Sequence, residues 1–185
     1  MSGRVCPWWL GYFLASPLRR LYQDPRAILR PWVSEGMTVL EPGPGMGFFT
    51  LEMARLVAPS GRVVAVDVQP RMLQALVRRA RRAGLEERIE VRKAMGEALG
   101  VDDLEGRVDF VLAFAVVHEL PSPAAFFAQT FRALKVGGKM LVAEPGHHVS
   151  RAALAETAVL AEKAGFQRDG APEIRGSRSA LFARR

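Results

Sequence analysis

The 185-residue chain holds one cysteine, three histidines and two tyrosines, and no apolar run approaches the length of a bilayer span. A lone Cys6 excludes an internal disulfide framework and any zinc site built on cysteines, and a reducing, cytoplasmic setting is expected. A membrane-spanning helix needs about 20 apolar residues. The longest candidate, Val5 to Ala15 (VCPWWLGYFLA), is interrupted by Pro7 and Gly11 and is rich in aromatics rather than leucine. It is therefore not expected to be a secretory leader. Repeats, low-complexity tracts and long linkers are also missing, so a single domain is expected, with a helical N-terminal segment over residues 1–35 and a ligand-binding domain over 36–185.

Hydrophobic residues make up 49% of the chain, enough for a folded core, and the formal charge is +7. The densest positive run is Arg78, Arg79, Arg81 and Arg82, just before Gly84. It reads first as a solvated helix face with cations favoured at the helix C-terminus. Nucleic acid is accordingly not the expected partner.

Before residue 36, Pro7, Pro17 and Pro25 suit first helical turns, with Ser16 and Asp24 as caps for the last two. From Met37 onward, short β-type runs (Thr38–Leu40, Val63–Val66, Ile89–Lys93, Val108–Phe114, Met140–Ala143) alternate with helical periods at Phe49–Ala58, Pro70–Ala83 and Pro123–Leu134. A further helix is expected from a Ser150 cap to Ala164. Phe166–Ile174 and Ser179–Ala183, joined across Gly176-Ser177, permit only an antiparallel hairpin. The fold class is α/β, a mostly parallel sheet with helices on both faces.

Between the first strand and helix lies EPGPGMGF, Glu41 to Phe48. A dinucleotide loop needs GxGxxG, and counting from Gly43 its third glycine would fall at Phe48, while Gly47 comes one residue early. No GxxxxGK[ST] is present, so the phosphate-cradling lysine is missing too. The loop resembles an adenosine site lacking phosphates, although Gly43 and Gly45 could simply form a turn.

Several later stretches fall into order with this loop: VVAVDVQPRML with Asp67, EVRKAMGEAL, VDFVLAFAVVHELPSP and RALKVGGKMLVAEPG. Together they resemble the motifs of class I S-adenosylmethionine (SAM) dependent methyltransferases, in particular the small ubiquinone- and menaquinone-biosynthesis type, from about Trp32 to the C-terminus. The resemblance implies a Rossmann-like, seven-stranded sheet and SAM as cofactor. It implies contacts from Glu41, Gly43, Pro44, Gly45, Gly47, Phe48, Asp67, Val68, Gln69, Ala94, Met95, Phe114 and Ala115. Asp67 would accept both ribose hydroxyls. Glu41 would either complement the cationic methionine end or orient the glycine loop. The sequence departs from the family at Ala94 and Met95, where an aspartate often meets the adenine, and this keeps open a non-catalytic module that binds SAM or a partner protein.

Methyl transfer needs alignment more than acid–base groups, and a base matters only when the nucleophile holds a proton. The candidates are His118 and Glu119 after the fourth strand, with Glu144, His147 and His148 after the fifth. His118 could instead start a helix or pack on the cofactor, and the His147-His148 pair could be a surface loop. A metal site is not expected. FAVVHELP differs from the [DNS]PP[YF] of base-directed amino methyltransferases, and Cys6 is misplaced for cytosine C5 chemistry, so an RNA acceptor is the lesser alternative. Trp8, Trp9, Tyr12 and Phe13 are expected to roof a pocket for a small or lipid-like acceptor, although such an aromatic segment could equally seal a dimer or rest on a membrane surface.

Overall fold

A computed structural model describes residue 19 and residues 21–185. The expected helix starts at Pro7 and Pro17, the Ser16 cap and the cover by Trp8, Trp9, Tyr12 and Phe13 lie outside the described residues. Asp24 does cap a short helix α1 (Pro25–Leu29), its carboxylate accepting from the Arg26 N–H at 2.9 Å.

Seven strands follow: β1 (Thr38–Pro42), β2 (Arg62–Asp67), β3 (Ile89–Lys93), β4 (Val108–Phe114), β5 (Leu134–Pro145), β6 (Gln167–Gly170) and β7 (Ser177–Ala183). The helices between them are α2 (Thr50–Leu56), α3 (Pro70–Arg82), α4 (Pro123–Ala133) and α5 (Arg151–Lys163). The sheet order is β3-β2-β1-β4-β5-β7-β6. Only β7 runs against its neighbours. Order reverses between β1 and β4, which opens a crevice beyond their carboxyl ends.

Alternation along the strands separates two cores. Val39, Val63, Phe110, Leu112 and Leu141 meet Leu29 of α1, Met53 of α2 and Ala80 of α3. Their neighbours Leu40, Val64, Val111 and Val142 face Phe126 and Phe127 of α4 and Ala158 and Ala161 of α5. Helices thus cover both faces, as the pattern of short apolar runs requires.

Three boundaries differ from the sequence reading. β5 begins at Leu134, which pairs with Val108, and it passes Gly137 at φ +83 before settling into register at Lys139 opposite Phe110. The glycines that read as a turn are an irregularity within a longer strand. β6 stops at Gly170, where φ is +147 and the register slips, and Pro172 beyond it has no N–H to offer a ladder. β7 starts two residues early, at Ser177 opposite Pro145, so residues 171–176 form the connection.

Candidate active site

The crevice is floored by the loop that leaves β1. Gly43 sits at φ +71, and a Cβ there would lie 2.7 Å from Val116 Cγ2. Gly47 sits at φ +84, and a Cβ there would collide with Leu76 of α3. The loop is therefore wedged between the β4 exit and α3, and only glycine fits both ends. Gly45 has open space on its Cβ side. Pro44 and Phe48 are buried beside it. The α3 arginine run is more than a solvated face, because the Arg79 guanidinium donates to the Met46 carbonyl within this loop.

Glu41 is almost wholly buried, and its carboxylate accepts from Thr50 Oγ1 at 2.5 Å. Burial pushes its carboxyl up to about 8, with the nearby Asp67 charge adding to the rise. Asp67, at the tip of β2, is 8% exposed and accepts from the Gln69 N–H at 2.8 Å. The N–H groups of Gly45 and Val68 also reach this carboxylate and favour its charged form, yet burial wins and its pKa is raised. Gln69 occupies the N-cap position of α3 without a side-chain capping bond, and Val68 is exposed. At the end of β3 the Ala94 N–H is tied to the Asp67 carbonyl at 3.0 Å, while the Met95 side chain is 76% exposed.

Across the crevice, β4 delivers Phe114, whose ring lies 4.4 Å from that of Phe49, with Phe48 edge-on to Phe49. Ala115 follows at φ +55, a conformation that L-residues adopt at a cost and that clusters at working sites. Sequence reasoning missed Arg19. Its guanidinium lies 4.4 Å over the Phe48 ring, and burial lowers it to about 10. It donates to Gln23 Oε1, and the Gln23 amide in turn donates to the Arg175 carbonyl and to Ser177 Oγ. This strap joins the glycine loop to the β6–β7 connection. Its only sequence signal is an arginine and a glutamine four residues apart before a helix cap.

The candidate bases gather unevenly. His118 lies on a 3-10 turn (Val117–Glu119) after β4, and its Nδ1 is 2.5 Å from Glu144 Oε2. Glu144 is 1% exposed at the end of β5 and takes the Val117 N–H on Oε1 at 2.8 Å. The bond to Glu144 raises the His118 pKa, against a smaller desolvation effect. Glu119 Oε1 lies 3.9 Å from His118 Nε2, beyond hydrogen-bond reach. His147 and His148 are exposed on the following loop, which Arg178 holds by donating to the Val149 and Gly146 carbonyls. The His148 ring is 6.3 Å from that of His118, and His147 reaches it only through His148. Among the described residues no group of three or more such side chains is arranged to hold a metal ion.

A phosphate-free glycine loop at a switch point, with a buried carboxylate one strand away, defines an α/β domain for a nucleoside-bearing cofactor. The buried Asp67 carboxylate beside the open side of Gly45 fits the ribose of SAM. Residues 33–168 match the family described as a methyltransferase domain. A ubiquinone/menaquinone biosynthesis C-methyltransferase, UbiE, from Pasteurella multocida is 32% identical over 112 residues, covering 60% of this chain and 41% of the relative. A ribosomal protein L11 methyltransferase from Pelotomaculum thermopropionicum is 34% identical over 114 residues, covering 62% of this chain and 34% of the relative. These matches thus span less than half of the relatives' length. A SAM-dependent methyltransferase from Aquifex aeolicus superposes with a TM-score of 0.86 at 25% identity, covering 98% of this chain and 100% of that one. The chain belongs to the methyltransferase domain family, and in fold and family it is a class I SAM-dependent methyltransferase.

Proposed function

We propose that the chain moves the methyl group of SAM to a small, hydrophobic or lipid-like acceptor. SAM supplies a sulfonium-activated methyl; the protein's own work is to bind, align and exclude water. Asp67 takes the ribose hydroxyls, and the loop from Gly43 to Gly47, with Pro44 and Phe48, brings backbone close to the ligand. Val68, Gln69, Ala94 and Met95 border the adenine side. Glu41 faces the cationic methionine end from below the loop, with Phe114 and Ala115 opposite. The observation that carries the reading is the buried Asp67 carboxylate held against the Gly45 N–H.

The acceptor reading draws support from the similarity to a quinone-biosynthesis C-methyltransferase and from the apolar rings of Phe48, Phe49 and Phe114 at the crevice. No described helix is long and apolar enough to cross a membrane, and the single cysteine supports a cytoplasmic setting. Thermal unfolding tests the cofactor: SAM at 100 times its Kd should stabilise the protein by about 2.7 kcal/mol, while NAD and ATP leave it unmoved. Equal stabilisation by NAD would sink the reading. Binding without transfer to any acceptor would favour the non-catalytic module that Ala94 keeps open.

A further inference from the structure

We propose that Glu144 is a positioning residue that makes His118 the general base, so that the acceptor's nucleophile is protic: a hydroxyl, or a ring carbon made nucleophilic by loss of a hydroxyl proton. This rests on the methyltransferase reading and narrows its substrate class.

The geometry argues it. A carboxylate buried as deeply as Glu144 is unfavourable unless its oxygens are satisfied, and here both are, one by the Val117 N–H and one by His118 Nδ1. A carboxylate accepts and does not donate, so in the neutral ring the proton sits on Nδ1 and the lone pair on Nε2. Glu119 is too distant to take up Nε2 by a hydrogen bond. The turn over Val117–Glu119 leaves β4 at the crevice, and Glu144 ends the adjacent β5, so the pair stands where the acceptor must lie. A tertiary amine, a thioether or a preformed thiolate would need no such base.

In the step itself, the acceptor's O–H proton passes to Nε2. For a hydroxyl acceptor the freed pair forms the O–C bond to the methyl carbon while the carbon–sulfur bond breaks, its pair remaining on sulfur as S-adenosylhomocysteine leaves. For a ring-carbon acceptor the freed pair closes a carbonyl, a ring π pair forms the C–C bond with the same loss of S-adenosylhomocysteine, and that carbon's own proton then moves to the carbonyl oxygen, restoring the hydroxyl and the aromatic ring. The proton then passes from the imidazolium to water. Only neutral His118 can act, and Glu144 raises its pKa, so the rate should climb with pH through a midpoint higher than that of an unperturbed histidine. The groups facing the ring are Glu144 from β5, Glu119 from its own turn and His148 from the loop after β5.

The test has two arms. Nitrogen-15 NMR of the histidines, without cofactor, should show neutral His118 with the proton on Nδ1 and a raised pKa, both lost in Glu144→Gln. Labelled methyl transfer is then followed to 1,4-dihydroxynaphthalene and 4-methylphenol, against N,N-dimethylaniline and thioanisole. Transfer to the hydroxylated probes is expected, falling about 10²–10⁴-fold in His118→Gln, with the rising pH limb displaced to lower pH in Glu144→Gln. SAM binding should be unchanged in both variants. An Nε2–H tautomer, preference for the amine or thioether, transfer undiminished in His118→Gln, or no transfer to any probe while SAM binds would overturn the proposal. Failure of the wild type to bind SAM would instead overturn the methyltransferase reading beneath it.

Discussion

Glu41 carries the sharpest consequence of a single residue's surroundings. Its folded-state pKa of about 8 lies far above that of an unfolded glutamate, so the folded chain holds a proton that the unfolded chain has released. The resulting stability is fully present below the unfolded value and is lost as pH rises through about 8. Glu41→Gln should flatten this decline while keeping an acceptor for Thr50, as thermal unfolding between pH 5 and 9 would show. A cation bound above the loop favours the carboxylate, so SAM should bind up to about tenfold more tightly for each pH unit on the limb below 8, with proton release visible as a buffer-dependent binding enthalpy. Pairing between Glu41 and Thr50 was not legible in the sequence, because nine residues and a loop separate them. Gly47 was legible as a special position, but its reason, the Leu76 methyl from α3, was not. Gly47→Ala should cost about 1–3 kcal/mol in strain and weaken cofactor binding further, since the loop must shift off Leu76.

Among the elements, caps were easiest to foresee. Ser150 accepts from the Ala153 N–H at 3.0 Å, and Ser150→Ala should cost about 1 kcal/mol in chemical denaturation. Local chemistry of this kind is written in neighbouring residues, as is the two-face alternation of β1, β2 and β4. The extent of β5 was hidden for the opposite reason. Leu134 to Gly138 is drawn into the sheet because Val108 pairs with Leu134 on one side and Arg184, just past β7, bonds Gly137 and Gly138 on the other, a tertiary effect that outweighs the turn propensity of two glycines. The histidine site was half legible: five candidates could be placed at strand ends, but which of them touch depends on the turn at Val117–Glu119 and the parity of Glu144. The strap from Arg19 through Gln23 to Ser177 offers an element-scale test. Gln23→Ala removes both links to the β6–β7 connection and should speed SAM dissociation several-fold in stopped-flow fluorescence, with little change in thermal stability. An unchanged off-rate would exclude the strap from closing the crevice.

At the scale of the molecule, the sheet order decides where chemistry can occur. Reversal between β1 and β4 puts the glycine loop, Asp67, Phe114 and the His118–Glu144 pair on one rim, although they come from four separated stretches of chain. That convergence is what the ordered motifs of the sequence anticipated, and the arginine run on α3 is tied to the loop where Arg79 donates to the Met46 carbonyl. The central claim is that this rim binds SAM through Asp67. Calorimetric titration of the wild type and Asp67→Ala with SAM, S-adenosylhomocysteine and NAD tests it most directly. Binding of both sulfur ligands by the wild type, a loss of at least tenfold in Asp67→Ala and no heat with NAD are the expected results. Undiminished SAM binding in Asp67→Ala, or none in a folded wild type, would contradict the account.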